Sequence, residues 1–180
     1  MARIPYFDPE TGAQRVRAAL AGKRAINVFR MVANSENSGP EVLALGHTLS
    51  RGSSLDPLHR EVVILRVAHL SGAHYMWHEH TAVATRVGFT PEKIAAIAAY
   101  DGAPLDELEP FDLSLLRFTD EVFHTTTAAD DVFNAIRAVF DDSHLVELVL
   151  LIGFYMMVAR VMNTFEIEIQ EEPVGTFPPP

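Results

Sequence analysis

Residues 72–80 read GAHYMWHEH. Three of the chain's eight histidines, one of its four tyrosines and its one tryptophan fall in this stretch. Three chemistries suit such a cluster: a metal site, an acid–base site, or a polar seam in a helical core. His74 and His78 are four apart, a spacing that puts two imidazoles on one helical face, as zinc sites often require. No His-Glu-x-x-His motif accompanies them, and no third or fourth ligand is evident. Solvated surface histidines explain the pair better, and no metal is expected. His80 differs. It falls on the apolar stripe Ala73, Met76, Trp77, His80, Ala84 and Val87, which follows the helical i, i+3, i+4, i+7 rule.

The carboxylate that could meet His80 is Glu61. It precedes Val62, Val63, Ile64, Leu65, Val67 and Ala68, a run apolar nearly all round and therefore buried on most sides. A buried carboxylate without a partner is costly, so it pairs or holds its proton. If the helices flanking Gly72 form an antiparallel hairpin, Glu61 and His80 both lie roughly 12–16 Å from the turn, at about 1.5 Å per residue. They stand at similar height on facing helices and can meet. A Glu–His pair in an apolar pocket can act as a general acid and base. Plainer readings stand beside this one. A first-turn glutamate suits the positive end of a helix dipole, and a histidine on an apolar stripe is often a satisfied core residue. Arg66, inside the apolar run, needs an anion, supplied by the protein or by a substrate. Tyr75 and Trp77 are core or interface residues, or the walls of a pocket. Tyr155, Met156, Met157 and Met162, with Arg160 and Asn163 among them, form a methionine-rich face that suits a core or a subunit seam.

The elements that must position these residues are helical. Residues 1–12, with Pro5 and Pro9, read as an extended lead-in. Helical periodicity covers 13–33, with Gly22 dividing it, and 34–40 is a loop. Pro40 suits the first turn of a helix running to about residue 50. Asp56-Pro57 is a cap followed by a first-turn proline, starting a helix to about residue 70. After Ser71-Gly72 the histidine helix runs to 87, where Gly88 ends it. Thr90-Pro91 starts another. Helices follow over 112–124 and 129–140, and a last one runs from 142 or 143 to about 168. The tail, 170–180, is extended and loose by default. Strand signals are nearly absent, so the fold class is all-α, with one helical domain over 13–169. HREVVILRVA (59–68) and HLVELVLLIG (144–153) echo one another, with Glu61 and Glu147 in like positions. That marks either a duplicated unit or two buried helices with similar demands.

Composition removes several function classes. The chain has 180 residues, 48% hydrophobic and 21% charged, so it is globular. Its net charge is −10 and no basic cluster stands out, so nucleic acid and anionic membrane surfaces are poor partners. There is no cysteine, which rules out disulfides, thiolate metal sites and thiol redox chemistry. No Gly-rich phosphate loop or Gly-x-Ser-x-Gly elbow is present. The opening MARIPYFDPETG has no apolar centre, and the apolar run 148–159 is too short to cross a bilayer. A cytoplasmic protein is expected.

Residues 60–97, REVVILRVAHLSGAHYMWHEHTAVATRVGFTPEKIAAI, resemble the core of the carboxymuconolactone decarboxylase and alkylhydroperoxidase D-like superfamily. The carriers of the likeness are Glu61, Arg66, Gly72, Tyr75, Trp77, His80 and Gly88-Phe89-Thr90. Residues 145–165 resemble the C-terminal helix of longer members. The resemblance implies an AhpD-like helical bundle assembled as a homotrimer or homohexamer, its pocket near subunit contacts. In the peroxidase branch a cysteine pair stands where Ala73 and Met76 stand here, and a glutamate and a histidine matching Glu61 and His80 relay protons to it. With no cysteine, thiol peroxidase activity is unavailable. The decarboxylase branch uses no metal or organic cofactor and acts on a small lactone carboxylic acid. Met76 departs from the glutamate often found between the tyrosine and the tryptophan. The resulting expectation is a cofactor-free lyase or isomerase acting on a small carbonyl acid or lactone. His80 moves a proton, and Glu61 orients it or relays. Tyr75, Met76 and Trp77 shape the pocket, and Arg66 holds a substrate carboxylate. The alternative is a non-catalytic helical oligomer that binds a small ligand.

Overall fold

The computed structural model describes residues 1–170 together with Thr176 and Phe177. Its helices are α1 (Gln14–Leu20), α2 (Asn27–Val32), α3 (Gly39–His47), α4 (Pro57–Leu70), α5 (His74–Arg86), α6 (Pro91–Ala99), α7 (Pro110–Thr125), α8 (Asp130–Arg137) and α9 (Asp142–Thr164), with a π-helical turn at Thr48–Gly52. Among the described residues there is no strand, only an isolated antiparallel bridge between Arg24 and Thr176. The fold is all-helical. The chain divides into two compact units, Met1–Gly52 with Val161–Pro180, and Ser53–Arg160.

The first unit has an apolar centre of its own. Phe7, Val16, Leu20, Ala33, Leu43 and Phe177 are buried together. Two of these come from segments expected to be merely extended. Phe7 is in the lead-in, where its N–H donates to the Arg30 carbonyl at 3.1 Å. Phe177 is in the tail, donating its N–H to the Lys23 carbonyl at 2.9 Å and accepting from Gly22 N–H at 3.3 Å. The expectation of a loose tail fails at Thr176 and Phe177, because burying one phenylalanine ring is worth about 2 kcal/mol and offsets the ordering of its backbone. Residues 171–175 and 178–180 lie outside the described ones. The last helix stops at Thr164, short of the expected 168. Glu166 takes a left-handed conformation, φ 51°, and Ile167 N–H reaches back to the Met162 carbonyl at 3.0 Å, which closes the helix end.

In the second unit α4 is the central rod, packed against α5, α6 and α7. Its residues Glu61 to Ala68 are all buried. The start is as the sequence predicts: the Asp56 carboxylate accepts the Leu58 N–H at 2.7 Å, with Pro57 at the first helical position. Gly72, at φ 57°, supplies the left-handed turn into α5, so that α4 and α5 form a hairpin. Thr90 caps α6 by accepting Lys93 N–H at 3.2 Å. The next helix starts at Pro110 rather than 112. Glu109 and Asp112 form a reciprocal capping box there, with glutamate in a role more often filled by Asp, Ser or Thr.

One side of α9 buries Leu145, Leu148, Leu151, Ile152, Tyr155, Val158 and Ala159, while Val146, Val149, Leu150 and Met157 are exposed. At 23 residues, with mean hydropathy of 2.1 over its most apolar window, α9 is long and apolar enough to cross a bilayer. The 148–159 run alone did not suggest this, because apolar residues continue past both of its ends. Of that window, 44% is buried inside the protein.

Glu147 shows that the echo between α4 and α9 is one of pattern and not of role. Its carboxylate accepts from Ser53 Oγ at 2.6 Å, Ser54 N–H at 3.0 Å and Ser54 Oγ at 3.1 Å, pinning the segment that leads into α4. The Ser53 hydroxyl, chiefly, holds this carboxyl below the ordinary glutamate range, with the Ser54 donors assisting against a desolvation effect. A lowered folded-state pKa means stability that is fully present above the unfolded-state value and lost as pH falls through the folded one. Glu147→Gln is expected to cost about 1 kcal/mol at neutral pH. The gap from the unmodified protein should close as urea titrations move down to about pH 3. An equal gap at both pH values contradicts the assignment.

Candidate functional site

The first turn of α4 carries Glu61 and the middle of α5 carries His80. The tight turn at Gly72 folds the two helices together, and His80 Nδ1 lies 2.9 Å from Glu61 Oε2. The Glu61 side chain is 7% exposed and that of His80 17%. With the carboxylate ionised it can only accept, and Nδ1 would then carry the shared hydrogen, leaving Nε2 free to take up a proton. A carboxylate so placed can fix that tautomer and stabilise an imidazolium, an arrangement that suits a general base.

A third group joins the pair. The Tyr155 ring stands edge-on to His80, with centroids 5.1 Å apart and planes at 88°. Burial pushes the Tyr155 phenol far above its usual range. The negative charge of Glu61 adds to the shift and Arg60 opposes it. The phenol therefore keeps its proton. Nothing in the sequence singles out Tyr155 from the methionine-rich run around it. Its meeting with His80 depends on how α9 lies against α5.

The other expected site residues are placed differently. Arg66 finds its anion inside the protein. Its Nε and Nη2 donate to the two Asp120 carboxylate oxygens at 2.6 and 2.7 Å, and its remaining reach goes to the Ile97 and Tyr100 carbonyls, both at 3.0 Å. It joins α4 to α6 and α7, and its side chain is 5% exposed, so it does not hold a substrate carboxylate. Met76 is fully buried in the core. Tyr75 is also buried. Trp77 is half-buried, with its ring set against His69 at 6.2 Å. Burial first, and the Arg66 cation second, lower the His69 imidazole from its ordinary value. His74 and His78 are exposed, and no described group of three or more His, Asp or Glu side chains is arranged to hold a metal. A shallow cleft of about 180 Å³ is lined by Tyr100, Gly102, Pro104, Leu113, Ser114 and Arg117, and includes none of the expected site residues.

Comparison with known proteins agrees with this architecture. Residues 42–106 match the model of the carboxymuconolactone decarboxylase family, a span containing the whole α4–α5 hairpin. An uncharacterized protein of Bacillus subtilis, YdfG, is 24% identical over 106 residues, covering 58% of this chain and 71% of that one. An uncharacterized peroxidase-related protein of Ralstonia eutropha, described as an alkylhydroperoxidase AhpD core, superposes with TM-score 0.79 at 18% identity, over 94% of this chain and 93% of its own. The debrominase Bmp8 in complex with 2,3,4-tribromopyrrole superposes with TM-score 0.69 at 12% identity, over 81% and 77%. The Glu61–His80 hairpin thus lies inside the region that resembles the carboxymuconolactone decarboxylase family, and the fold resembles that of an AhpD core.

Proposed function

We propose that this protein is a cofactor-free lyase or isomerase of the carboxymuconolactone decarboxylase-like type, moving a proton on a small carbonyl acid or lactone in the cytoplasm. The observation that carries the reading is the 2.9 Å contact between Glu61 and His80, with 17% of the His80 side chain still exposed. His80 Nε2 is the base and Glu61 orients and charges it. Thiol peroxidase chemistry is set aside because the chain contains no cysteine. The test is exchange. Small 3-oxo and 4-oxo acids and γ-lactone acids are incubated with the protein in D2O, and loss of the proton next to the carbonyl is followed by 1H NMR. Exchange above the buffer rate on at least one of them is expected.

The slight exposure of the pair favours a second reading, a helical oligomer that holds a small ligand without transforming it. Binding of one of these acids, seen by calorimetry, with no exchange would select that alternative. Either reading goes with self-association as a homotrimer or homohexamer. The exposed apolar row Val146, Val149, Leu150 and Met157 on α9 suits a subunit contact. Leu150→Glu is expected to lower the mass measured by light scattering to that of the monomer. An unchanged mass removes that face from the contact.

A further inference from the structure

We infer that Tyr155 is a third catalytic residue of this site, a neutral phenol that donates a hydrogen bond to the substrate oxygen on which negative charge develops. The inference rests on the proton-transfer reading of Glu61 and His80. Three observations lead to it. The Tyr155 ring meets the His80 ring edge-on at 5.1 Å, so the phenol stands directly beside the base. The residue is buried, yet no described group hydrogen-bonds its hydroxyl. The residue as a whole keeps 7% of its surface exposed. A buried phenol normally finds a partner, because an unmade hydrogen bond costs about 1–3 kcal/mol. Here a ligand oxygen can supply it.

The chemistry balances without a cofactor. The C–H bond next to a carbonyl breaks, and its proton goes to His80 Nε2. The electron pair left behind forms the carbon–carbon double bond of the enolate, and the carbonyl π pair moves to the oxygen. Tyr155 O–H donates to that oxygen and keeps its proton. Return of a proton, or a deuteron, from the imidazolium to the same or a neighbouring carbon completes exchange or isomerisation. Burial and the Glu61 charge hold the phenol protonated, the state a donor requires. Such a preorganised donor works best where charge appears only during the reaction. The substrate class follows: compounds with an acidic C–H beside a carbonyl, in preference to acids that react by hydride or electron transfer.

The test is Tyr155→Phe, which keeps the ring against His80 and removes only the hydroxyl. With the D2O exchange assay on the oxo-acid and lactone-acid panel, a fall of about 10²-fold is expected. The 1H–13C NMR signal of the His80 ring should titrate as in the unmodified protein. Exchange within about threefold of the unmodified protein, while His80→Gln is inactive, overturns the role of Tyr155 and leaves the base in place. Absence of exchange by the unmodified protein on every compound overturns both readings. Should Tyr155→Phe lose its helical circular dichroism, 13Cζ-tyrosine NMR of the unmodified protein decides. The Tyr155 signal moves on addition of the acid that exchanges, and a stationary signal overturns the proposal.

Discussion

Replacing His80 by glutamine or alanine is expected to abolish exchange, and replacing Glu61 by glutamine to come close to it, with helical content and assembly retained. A positioned general base contributes about 10²–10⁴-fold, so the His80 variants should fall to the buffer rate. Glu61→Gln is the more informative change. Glutamine has nearly the same shape, and its amide oxygen can still accept the Nδ1 hydrogen at the 2.9 Å position. What it removes is the negative charge that stabilises the imidazolium. A loss of about 10²-fold or more in rate with the fold intact therefore assigns the effect to charge and not to orientation. The structural alternative makes a different prediction. If the pair serves only to satisfy a buried carboxylate, His80→Ala leaves Glu61 uncompensated and costs about 3–5 kcal/mol. The variant then unfolds early in urea, and that outcome returns the pair to the core. Full activity in both variants takes the pair out of the mechanism.

The second large effect is on stability. Arg66→Met is expected to destabilise the protein by about 3 kcal/mol, the lower end of the cost of breaking a buried ion pair. The lower end applies because the Asp120 side chain is 25% exposed and can regain water, whereas Arg66 is only 5% exposed. The same change also orphans the Ile97 and Tyr100 carbonyls that now accept from its guanidinium. Pairing Arg66→Met with Asp120→Leu should recover part of the loss, since two apolar groups leave no uncompensated charge. Urea unfolding of the two single variants and the double variant measures this directly. A loss under about 1 kcal/mol for Arg66→Met, with a weakened affinity for the exchanging acid, would move Arg66 back towards the substrate-binding role its sequence context suggested.

Helix-forming periodicity and end signals carry most of what was legible beforehand. Asp56-Pro57 and Thr90-Pro91 start helices where their local chemistry says they must, because a cap and a first-turn proline act within one turn of chain. The hairpin about Gly72 is equally local. Two helices joined by a tight turn have little choice of register, so counting residues from the turn was enough to bring Glu61 opposite His80. Partners far along the chain were not legible. Asp120 for Arg66, Ser53 and Ser54 for Glu147, and Phe177 for the Phe7 cluster are separated by tens of residues or more, and no pattern within one helix encodes them. Helix ends set by capping from unusual residues, as at Glu109 and Glu166, were misplaced for a related reason: the deciding hydrogen bonds are geometric, and residue type only weakly implies them.

Taken alone, the order of residues determined that this chain is helical, that it lacks thiol chemistry, and that a carboxylate and an imidazole occupy facing positions on one hairpin. The tertiary structure decided which polar groups are committed to the protein and which remain available. It paired Arg66 with Asp120, buried Met76 and brought Tyr155 beside His80. Periodicity reports which face of a helix is apolar. What that face touches depends on the packing of helices distant in sequence, and hydrophobic burial, being non-directional, leaves that to the three-dimensional fit.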